Sequence, residues 1–289
     1  MEELLDKLLE ECRPFTAQGK VATYIPELAK ANPEDLGICV LSSDGRCYQS
    51  GDAQKRFTIQ SVVKPILLLQ ALMDNGEEYV HARVGVEATG KPFDAINVTD
   101  QTLFSDHLNP MVNMGAIAMC TLIKGKDYEE RFRRLLDLTR QLAGDQEIDL
   151  DQQVYLSEKR TGNKNRALAF LLKTYGMIEY DVEQVLDCYF KACSISVNSK
   201  DLAHIGFVLA NRGKLPQTGA DLPQPVCHLC QRHFDDLWDV RRLRRFRGQC
   251  RRAGQKWSGR RHYGCGAHQN GNRYLFPWAG WKGKQPGRY

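Results

Sequence analysis

The spacing of hydrophobic residues predicts a mainly helical chain over residues 1–222. Leu4, Leu5, Leu8 and Leu9 recur at the helical interval and predict an N-terminal helix over 2–12. The same interval predicts further helices over 61–75, 112–123, 126–143, 164–176, 181–191 and 199–212.

Two short segments follow a different pattern and are predicted to be strands. Residues 37–42 and 47–50 flank an Asp44-Gly45 turn, which is typical of a β-hairpin. A two-stranded sheet is only marginally stable, so partner strands are expected later in the chain. The sequence predicts few before residue 222 and none after it. Strands followed by many helices indicate an α+β protein.

Charge divides the chain at about residue 222. Residues 223–289 hold 15 Lys and Arg against 3 Asp, a net charge of +12, which leaves −7 on the first 222 residues. The same tail contains all four Trp, four of the ten Cys and no Ile. Such asymmetry is typical of a basic nucleic-acid-binding or membrane-binding arm on an acidic protein.

The rest of the composition favours a cytoplasmic location. The first helix is acidic and amphipathic, with neither the basic start nor the apolar run of a signal peptide. No stretch approaches 18 apolar residues, so no membrane span is predicted. Six scattered Cys before residue 223, such as Cys39 between Ile38 and Val40, are typical of buried, reduced thiols.

A Ser-x-x-Lys pattern at the start of an apolar helix is the first candidate for chemistry. Ser61 is predicted on the first helical turn, and Lys64 lies on the same face three residues later. If burial favours the neutral amine, Lys64 can take the proton of the Ser61 hydroxyl and activate it as a nucleophile. A capping serine followed by a solvated lysine is the structural alternative.

Several segments around this pattern resemble conserved motifs of the glutaminase family. They occur in the family's order and spacing, and the resemblance covers about residues 5–222. The segments are 19–28 (GKVATYIPEL), 57–65 (FTIQSVVKP), 83–87 (RVGVE), 90–93 (GKPF), 109–117 (NPMVNMGAI), 189–197 (YFKACSISV) and 213–216 (GKLP).

The resemblance implies a fold and a reaction. The fold is that of the serine β-lactamase and penicillin-binding-protein class, a helical subdomain beside an α/β part with an antiparallel sheet. The reaction is hydrolysis of L-glutamine to L-glutamate and ammonia through a glutamyl-serine intermediate. The resemblance further implies a homo-oligomer, dimer or tetramer, with no metal, no cofactor, no membrane and no specific nucleic acid.

The resemblance also assigns site residues. Ser61 is the nucleophile, Lys64 the base, and Tyr24 a hydroxyl that relays protons or holds Ser61. The substrate-binding positions are Ser61, Asn113, Glu158, Asn165 and Tyr189. An anion at Glu158 suits the substrate ammonium, and neutral Asn and Tyr groups suit its carboxylate and amide.

Each substrate-binding or relay position has a structural alternative. Tyr24, ahead of Ile25-Pro26, is equally the pattern of a core aromatic with its hydroxyl at the surface. Glu158 lies in a charged run typical of a solvated helix face. Asn113 suits a helix cap, and Tyr189 beside Phe190 suits the core.

The tail departs from the family. Glutaminases continue with a helix, a Gly-Met-Tyr-Asp motif carrying a second active-site tyrosine, and a segment KSGVGGG whose valine N–H helps form the oxyanion hole. Sheet strands accompany these motifs, and all are missing here. With permitted codons, residues 255–263 (QKWSGRRHY) read one base later give KSGVGGGIM. Residues 264–288 and 227–241 also give family-like sequence. The sequence therefore predicts a frameshift near Leu222, a glutaminase domain over 1–222 that lacks its C-terminal strands, and an unrelated tail over 223–289.

Two alternatives of a different class remain open. One is a non-catalytic relative that the frameshift has inactivated. The other is a binding protein whose basic tail holds zinc or RNA. Cys227, Cys230 and His233, completed by Cys250 or Cys265, could supply metal ligands, although their spacing fits no standard zinc finger. Paired arginines interleaved with Trp could attract RNA without sequence specificity.

Overall fold

A computed structural model of the 289-residue chain describes most of the first 223 residues and two short pieces of the tail. The described residues are 1–42, 44–85, 108–215, 219, 221–223, 264–268 and 274–276. The last two ranges are described as backbone alone. Part of the family-like segment 83–87, the segment 90–93, and the candidate zinc ligands Cys227, Cys230, His233 and Cys250 lie outside them.

Helices make up most of the described chain, as the hydrophobic spacing predicts. Helix α1 has the predicted bounds, and the other predicted helices begin or end within about three residues of expectation, except that the one predicted to start at 61 opens as a 3₁₀ turn. Two helices, α3 and α6, are additional. The helices are α1 (Glu2–Cys12), α2 (Lys64–Asn75), α3 (Glu77–His81), α4 (Asn113–Leu122), α5 (Tyr128–Ala143), α6 (Gln152–Thr161), α7 (Asn163–Thr174), α8 (Val182–Cys193) and α9 (Ser199–Ala210).

Seven strands in the described residues form two antiparallel sheets. The four-stranded sheet has the order β2-β1-β6-β7, and the three-stranded sheet has the order β3-β5-β4. The predicted hairpin is confirmed as β1 and β2. The strands are β1 (Leu36–Leu41), β2 (Cys47–Gly51), β3 (Phe57–Thr58), β4 (Asp149–Leu150), β5 (Ile195–Val197), β6 (Gly264–His268) and β7 (Tyr274–Phe276).

The expectation that the tail supplies no sheet partner is wrong. Strand β6 pairs antiparallel with β1, setting Gly37 opposite Ala267, and β7 pairs with β6. A strand edge offers backbone N–H and C=O groups that any extended segment can satisfy, whatever its side chains. Glycine-rich sequence such as that of β6 lacks the alternation by which strands are predicted from sequence.

The main core lies among the helices. Helix α2 is apolar on all sides, and its residues from Ile66 to Leu72 are almost completely buried, which is typical of a central helix. Helix α4 packs tightly at Gly115, where an added Cβ would lie 2.1 Å from the backbone oxygen of Asn109. The mixture of helices and small antiparallel sheets confirms the predicted α+β class. None of the helices in the described part of the chain has the length and hydropathy needed to cross a membrane.

Candidate functional site

Ser61 lies on a turn of 3₁₀ helix that leads directly into Lys64, the first residue of α2. This turn spans Gln60–Val63, and the backbone N–H of Lys64 donates to the backbone oxygen of Ser61 at its end. A 3₁₀ helix has three residues per turn, so side chains at positions i and i+3 lie on the same side. Ser61 is exposed, whereas the Lys64 side chain is buried at 2% exposure. The solvated-lysine alternative is therefore wrong.

The residue before Ser61 has an unusual backbone. Gln60 has φ of 49°, and the other non-glycine residue with positive φ in the described chain is Arg212. Such a conformation costs about 1–3 kcal/mol and persists where the surroundings impose it. Pairing of β3 with β5 ends just before this point, and Ile59 N–H donates to the Ile195 oxygen at 2.8 Å. The sheet thus fixes the chain that leads into Ser61.

Tyr24 contacts Gln60 from a distant segment of the chain. Its hydroxyl donates to Oε1 of Gln60 at 3.1 Å, and Nε2 of Gln60 donates to Oγ1 of Thr58 at 3.1 Å. Tyr24 is 65% exposed, so the alternative of a core aromatic is wrong. Gln60 was not among the predicted site residues. Its position next to Ser61 was visible in the sequence, but its left-handed backbone was not.

Asn113 and Asn165 form a chain of hydrogen bonds with the Lys64 amine. Nζ of Lys64 lies 2.8 Å from Oδ1 of Asn113, and Nδ2 of Asn113 donates to Oδ1 of Asn165 at 3.1 Å. Asn113 is the first residue of α4 and its side chain makes no capping hydrogen bond, so the helix-cap alternative is wrong. Three of the predicted site residues are thus joined by direct hydrogen bonds.

Glu158 is the most unusual charge in the described chain. It lies on α6, is 5% exposed, and its Oε2 has no hydrogen-bond partner among the described residues. Burial raises the pKa of its carboxyl to about 8. The solvated-helix alternative is therefore wrong. Asp151 begins this helix by accepting from the backbone N–H groups of Gln153 and Val154, which fixes the helix that carries Glu158.

Tyr189 lies in the interior beside Glu158. Its side chain is 2% exposed, and burial, with smaller contributions from Cys193 and the Glu158 charge, raises the pKa of its hydroxyl well above the ordinary value. Its burial agrees with the core alternative, but its polar surroundings differ from those of a purely structural aromatic. A hydroxyl held in its neutral form donates a hydrogen bond to an anionic group.

The described residues contain no cluster of three or more His, Cys, Asp or Glu side chains arranged to hold a metal ion. The predicted site residues instead provide a buried amine, an exposed hydroxyl, and a buried carboxyl whose Oε2 has no hydrogen-bond partner among the described residues. Neutral amides and a phenol accompany these groups. Such a set can bind a zwitterion and attack it with the hydroxyl oxygen.

Comparisons with known proteins agree on one family. A family model described as Glutaminase matches residues 19–229. The chain is 48% identical over 230 residues to Glutaminase 2 of Clostridium perfringens, covering 79% of this chain and 75% of that protein. It is 48% identical over 219 residues to the glutaminase of Clostridium tetani, covering 76% of this chain and 72% of the relative.

Solved structures agree with the sequence relatives. The chain resembles a probable glutaminase from Bacillus subtilis complexed with 6-diazo-5-oxo-L-norleucine, with a TM-score of 0.71 at 35% identity, covering 80% of this chain and 71% of that one. It resembles the native form of a protein called Mglu with a TM-score of 0.76 at 32% identity. The match covers 82% of this chain but 57% of the Mglu chain, so this chain spans little more than half of that protein.

Proposed function

The chain belongs to the glutaminase family of amidohydrolases, with their β-lactamase-like fold, and we propose that it releases ammonia from L-glutamine through an ester on Ser61. The observation that carries this proposal is the 3₁₀ turn that sets exposed Ser61 on the same side as buried Lys64. A nucleophilic hydroxyl needs a base beside it, and the spacing of three residues supports Lys64 as that base.

Lys64 acts as the base in both halves of the reaction. The oxygen of Ser61 attacks the side-chain carbonyl carbon of glutamine, and the Lys64 amine takes the hydroxyl proton. That proton then passes to the departing nitrogen, which leaves as ammonia. Water attacks the resulting ester, Lys64 accepts a proton from it, and glutamate leaves as Ser61 recovers its hydrogen. This role requires the neutral form of the Lys64 amine.

Glu158 is proposed to bind the substrate ammonium. The buried oxygen without a described partner supports this role, because an arriving cation would supply the missing interaction. Asn113, Asn165 and Tyr189 are proposed to contact the carboxylate and the amide of the substrate. Tyr24 is proposed to assist proton movement near Ser61 or to hold that residue, and its hydrogen bond to Gln60 supports the second role.

We further propose that the family domain ends near Leu222. Leu222 N–H donates to the Gly213 oxygen at 2.9 Å, and Lys214 and Asp221 form an antiparallel β-bridge, so the backbone at 213–214 pairs with that at 221–222. The reading-frame relation of residues 255–263 to KSGVGGGIM supports a frameshift beyond these residues. A zinc or RNA role for the tail is a weaker alternative. Zinc content and salt-dependent RNA binding are the measurements that would favour it.

A cytoplasmic location and a homo-oligomeric state, dimer or tetramer, complete the proposal. Buried thiols at Cys39, Cys120, Cys188 and Cys193 support a reducing compartment. The oligomer rests on the family alone, and light scattering of the purified chain measures it. Cell fractionation measures the location.

The central experiment measures reaction at Ser61 in two ways. The first readout is ammonia release from L-glutamine, and the second is mass-spectrometric mapping of label from 6-diazo-5-oxo-L-norleucine. Both are applied to the 289-residue chain and to a version whose tail is read in the shifted frame. We expect the label on Ser61. In Ser61→Ala, ammonia release and labelling are both expected to fall below about a thousandth of their values in the parent protein.

Lys64→Ala is the matched test of the base. Groups that act as one unit give non-additive losses, so the Ser61→Ala, Lys64→Ala double variant should be little worse than either single variant. Label at another residue, or losses that multiply, would contradict a Ser61–Lys64 pair. Unchanged melting temperatures in the single variants establish that the fold is intact.

A further inference from the structure

Two thiols on the β1–β2 hairpin are in direct contact, away from Ser61. The Sγ atoms of Cys39 on β1 and Cys47 on β2 lie 3.3 Å apart. The strand register sets Leu41 opposite Cys47 and Cys39 opposite Gln49, so the two cysteines are diagonal neighbours across the ladder. Diagonal neighbours are normally about 7–8 Å apart, with their Cβ atoms somewhat closer, and here the sulfurs are in contact.

The two thiols differ in their access to solvent. Cys39 is completely buried, in a small apolar cluster with Leu41 and Ala203 against which Phe207 of α9 packs, whereas Cys47 is half-buried at the edge of the same cluster. A dissolved oxidant therefore reaches Cys47 first. Cys39 then lies within reach of any adduct formed on Cys47.

A hydrogen bond joins the two ends of the turn between the strands. Ser42 N–H donates to the Arg46 oxygen at 2.9 Å, and Gly45 has φ of 81°, in the left-handed region that suits glycine. The two sulfurs must approach by a little over 1 Å to reach the bond length of a disulfide, which is roughly 2.05 Å.

We propose that Cys39 and Cys47 form a reversible disulfide when the chain meets a small-molecule disulfide such as oxidised glutathione. The Cys47 thiolate attacks one sulfur of the oxidant, forming a mixed disulfide and releasing one glutathione thiolate. The Cys39 thiol attacks the Cys47 sulfur and expels the second glutathione, which takes the Cys39 proton and leaves as a thiol. Two protein thiols are oxidised, and the oxidant is reduced to two thiols.

The bond would close a loop of only nine residues around the turn. Cross-linking restricts the unfolded chain, so it is expected to raise the melting temperature by roughly 2–10 °C, the lower end applying to short loops. Strand β1 also pairs with β6, and α9 packs against the hairpin. The disulfide is therefore expected to stabilise the contacts of β1 with β6 and with α9 as well.

The experiment uses the full 289-residue chain with oxidised glutathione as the probe. Remaining thiols are alkylated, the chain is digested, and peptides are mapped by mass spectrometry before and after dithiothreitol. The expected product is a peptide pair joining Cys39 to Cys47, lighter by two hydrogens and released by dithiothreitol. The exposed Cys12 is expected to form only a mixed disulfide, and Cys12→Ser serves as the matched control that leaves the cross-link unchanged.

Single variants test which of the two cysteines reacts first with oxidised glutathione. In Cys39→Ser, Cys47 is expected to retain one bound glutathione, because no neighbouring thiol displaces it. In Cys47→Ser, Cys39 is expected to stay reduced, because it is buried. Recovery of both residues as alkylated thiols in the unmodified chain, while Cys12 is oxidised, would overturn the proposal. So would a bond from Cys39 to Cys265, which the β1–β6 register sets opposite Cys39.

Discussion

The amine of Lys64 lies 2.8 Å from the side-chain oxygen of Asn113. Because Nζ of Lys64 donates this hydrogen bond, the contact turns Oδ1 of Asn113 toward Lys64 and Nδ2 toward Asn165, whose Oδ1 accepts at 3.1 Å. The orientation of one amide therefore fixes the next. Asn113 also keeps a neutral acceptor, rather than an anion, beside the proposed base.

Asn113→Asp should suppress activity by changing charge rather than shape. A carboxylate at this distance favours the ammonium form of Lys64 and raises the pKa of the amine, so at neutral pH less neutral base is present. We expect kcat to fall at least about tenfold at pH 7 and to recover partly as pH rises. The measurement is the pH profile of ammonia release in the frame-restored version.

Asn113→Ala is the matched control for this charge effect. It removes the same hydrogen bonds without adding charge, so it should lower activity at every pH by a similar factor. If the aspartate and alanine variants gave parallel pH profiles, Asn113 would act in substrate contact alone, and Lys64 would not be the titrating base.

Glu158 should link glutamine binding to pH. Burial raises the pKa of its carboxyl to about 8, so below that pH the empty site is protonated and a substrate ammonium finds no anion. We expect KM to fall as pH rises from about 6 to about 8 and to level off above it. Glu158→Gln should raise KM on the order of 100-fold and abolish this pH dependence. A KM unchanged by the substitution would exclude Glu158 from the substrate site.

The same carboxyl should lower stability at alkaline pH. Its folded pKa lies above the ordinary value of 4.5, so the folded state binds the proton more tightly than the unfolded state. The stability it contributes is complete below about 4.5 and is lost as pH rises through about 8. Glu158→Gln should therefore melt higher than the parent at pH 9, while melting temperatures at pH 5 stay similar. Thermal melts without substrate measure both.

The sequence predicted much of the fold because the helices carry strong periodic patterns. Helix α1 was predicted with its bounds, and α2 was predicted except for its first turn. Helix α6 was missed because its apolar positions are few, although Glu158 on it was a predicted site residue. Strands β4 and β5 have two and three residues, too few to give a pattern.

The site was less predictable than the helices. Its residues come from segments that are distant along the chain, and only the resemblance to glutaminases brought them together. Burial of Glu158 could not be predicted from a charged run such as residues 157–160. The left-handed backbone of Gln60 could not be predicted either, since a side chain of this type rarely adopts positive φ.

Gln60 and Tyr24 should act as a unit. The Tyr24 hydroxyl donates to the Gln60 side chain, which is itself held by Thr58, so each group depends on the other for its position next to Ser61. We expect Gln60→Ala and Tyr24→Phe each to lower kcat, and the double variant to lose less than the product of the single losses. Gln60→Asn tests the backbone separately, because asparagine tolerates positive φ but its amide is one methylene shorter.

The double-variant cycle is measured by the rate of labelling with 6-diazo-5-oxo-L-norleucine as well as by ammonia release. Thr58→Val removes the other partner of Gln60 and should show the same non-additivity with Tyr24→Phe. Losses that multiply in both cycles would show that Tyr24 acts independently of Gln60.

Strands β6 and β7 give the tail a structural effect that can be separated from catalysis. A chain ending at residue 223 leaves one edge of β1 without the partner that β6 supplies. We expect this shortened chain to melt lower than the 289-residue chain. Equal melting temperatures would indicate that the pairing of β6 with β1 adds nothing to stability.

Catalysis should nevertheless depend on the reading frame of the tail. Backbone pairing can cover an edge of β1, but it cannot replace the second active-site tyrosine or the valine N–H that the family resemblance places in the shifted reading frame. Loss of one oxyanion-hole donor costs about 10²–10³ in kcat. We therefore expect the 289-residue chain to release ammonia at least about 10²-fold more slowly than the frame-restored version.

Comparison of kcat in the two proteins, made at matched folded concentration, measures this difference. Equal turnover would mean that residues 223–289 complete the site by groups of their own, and that the frameshift, even if present in the DNA, has not removed the function.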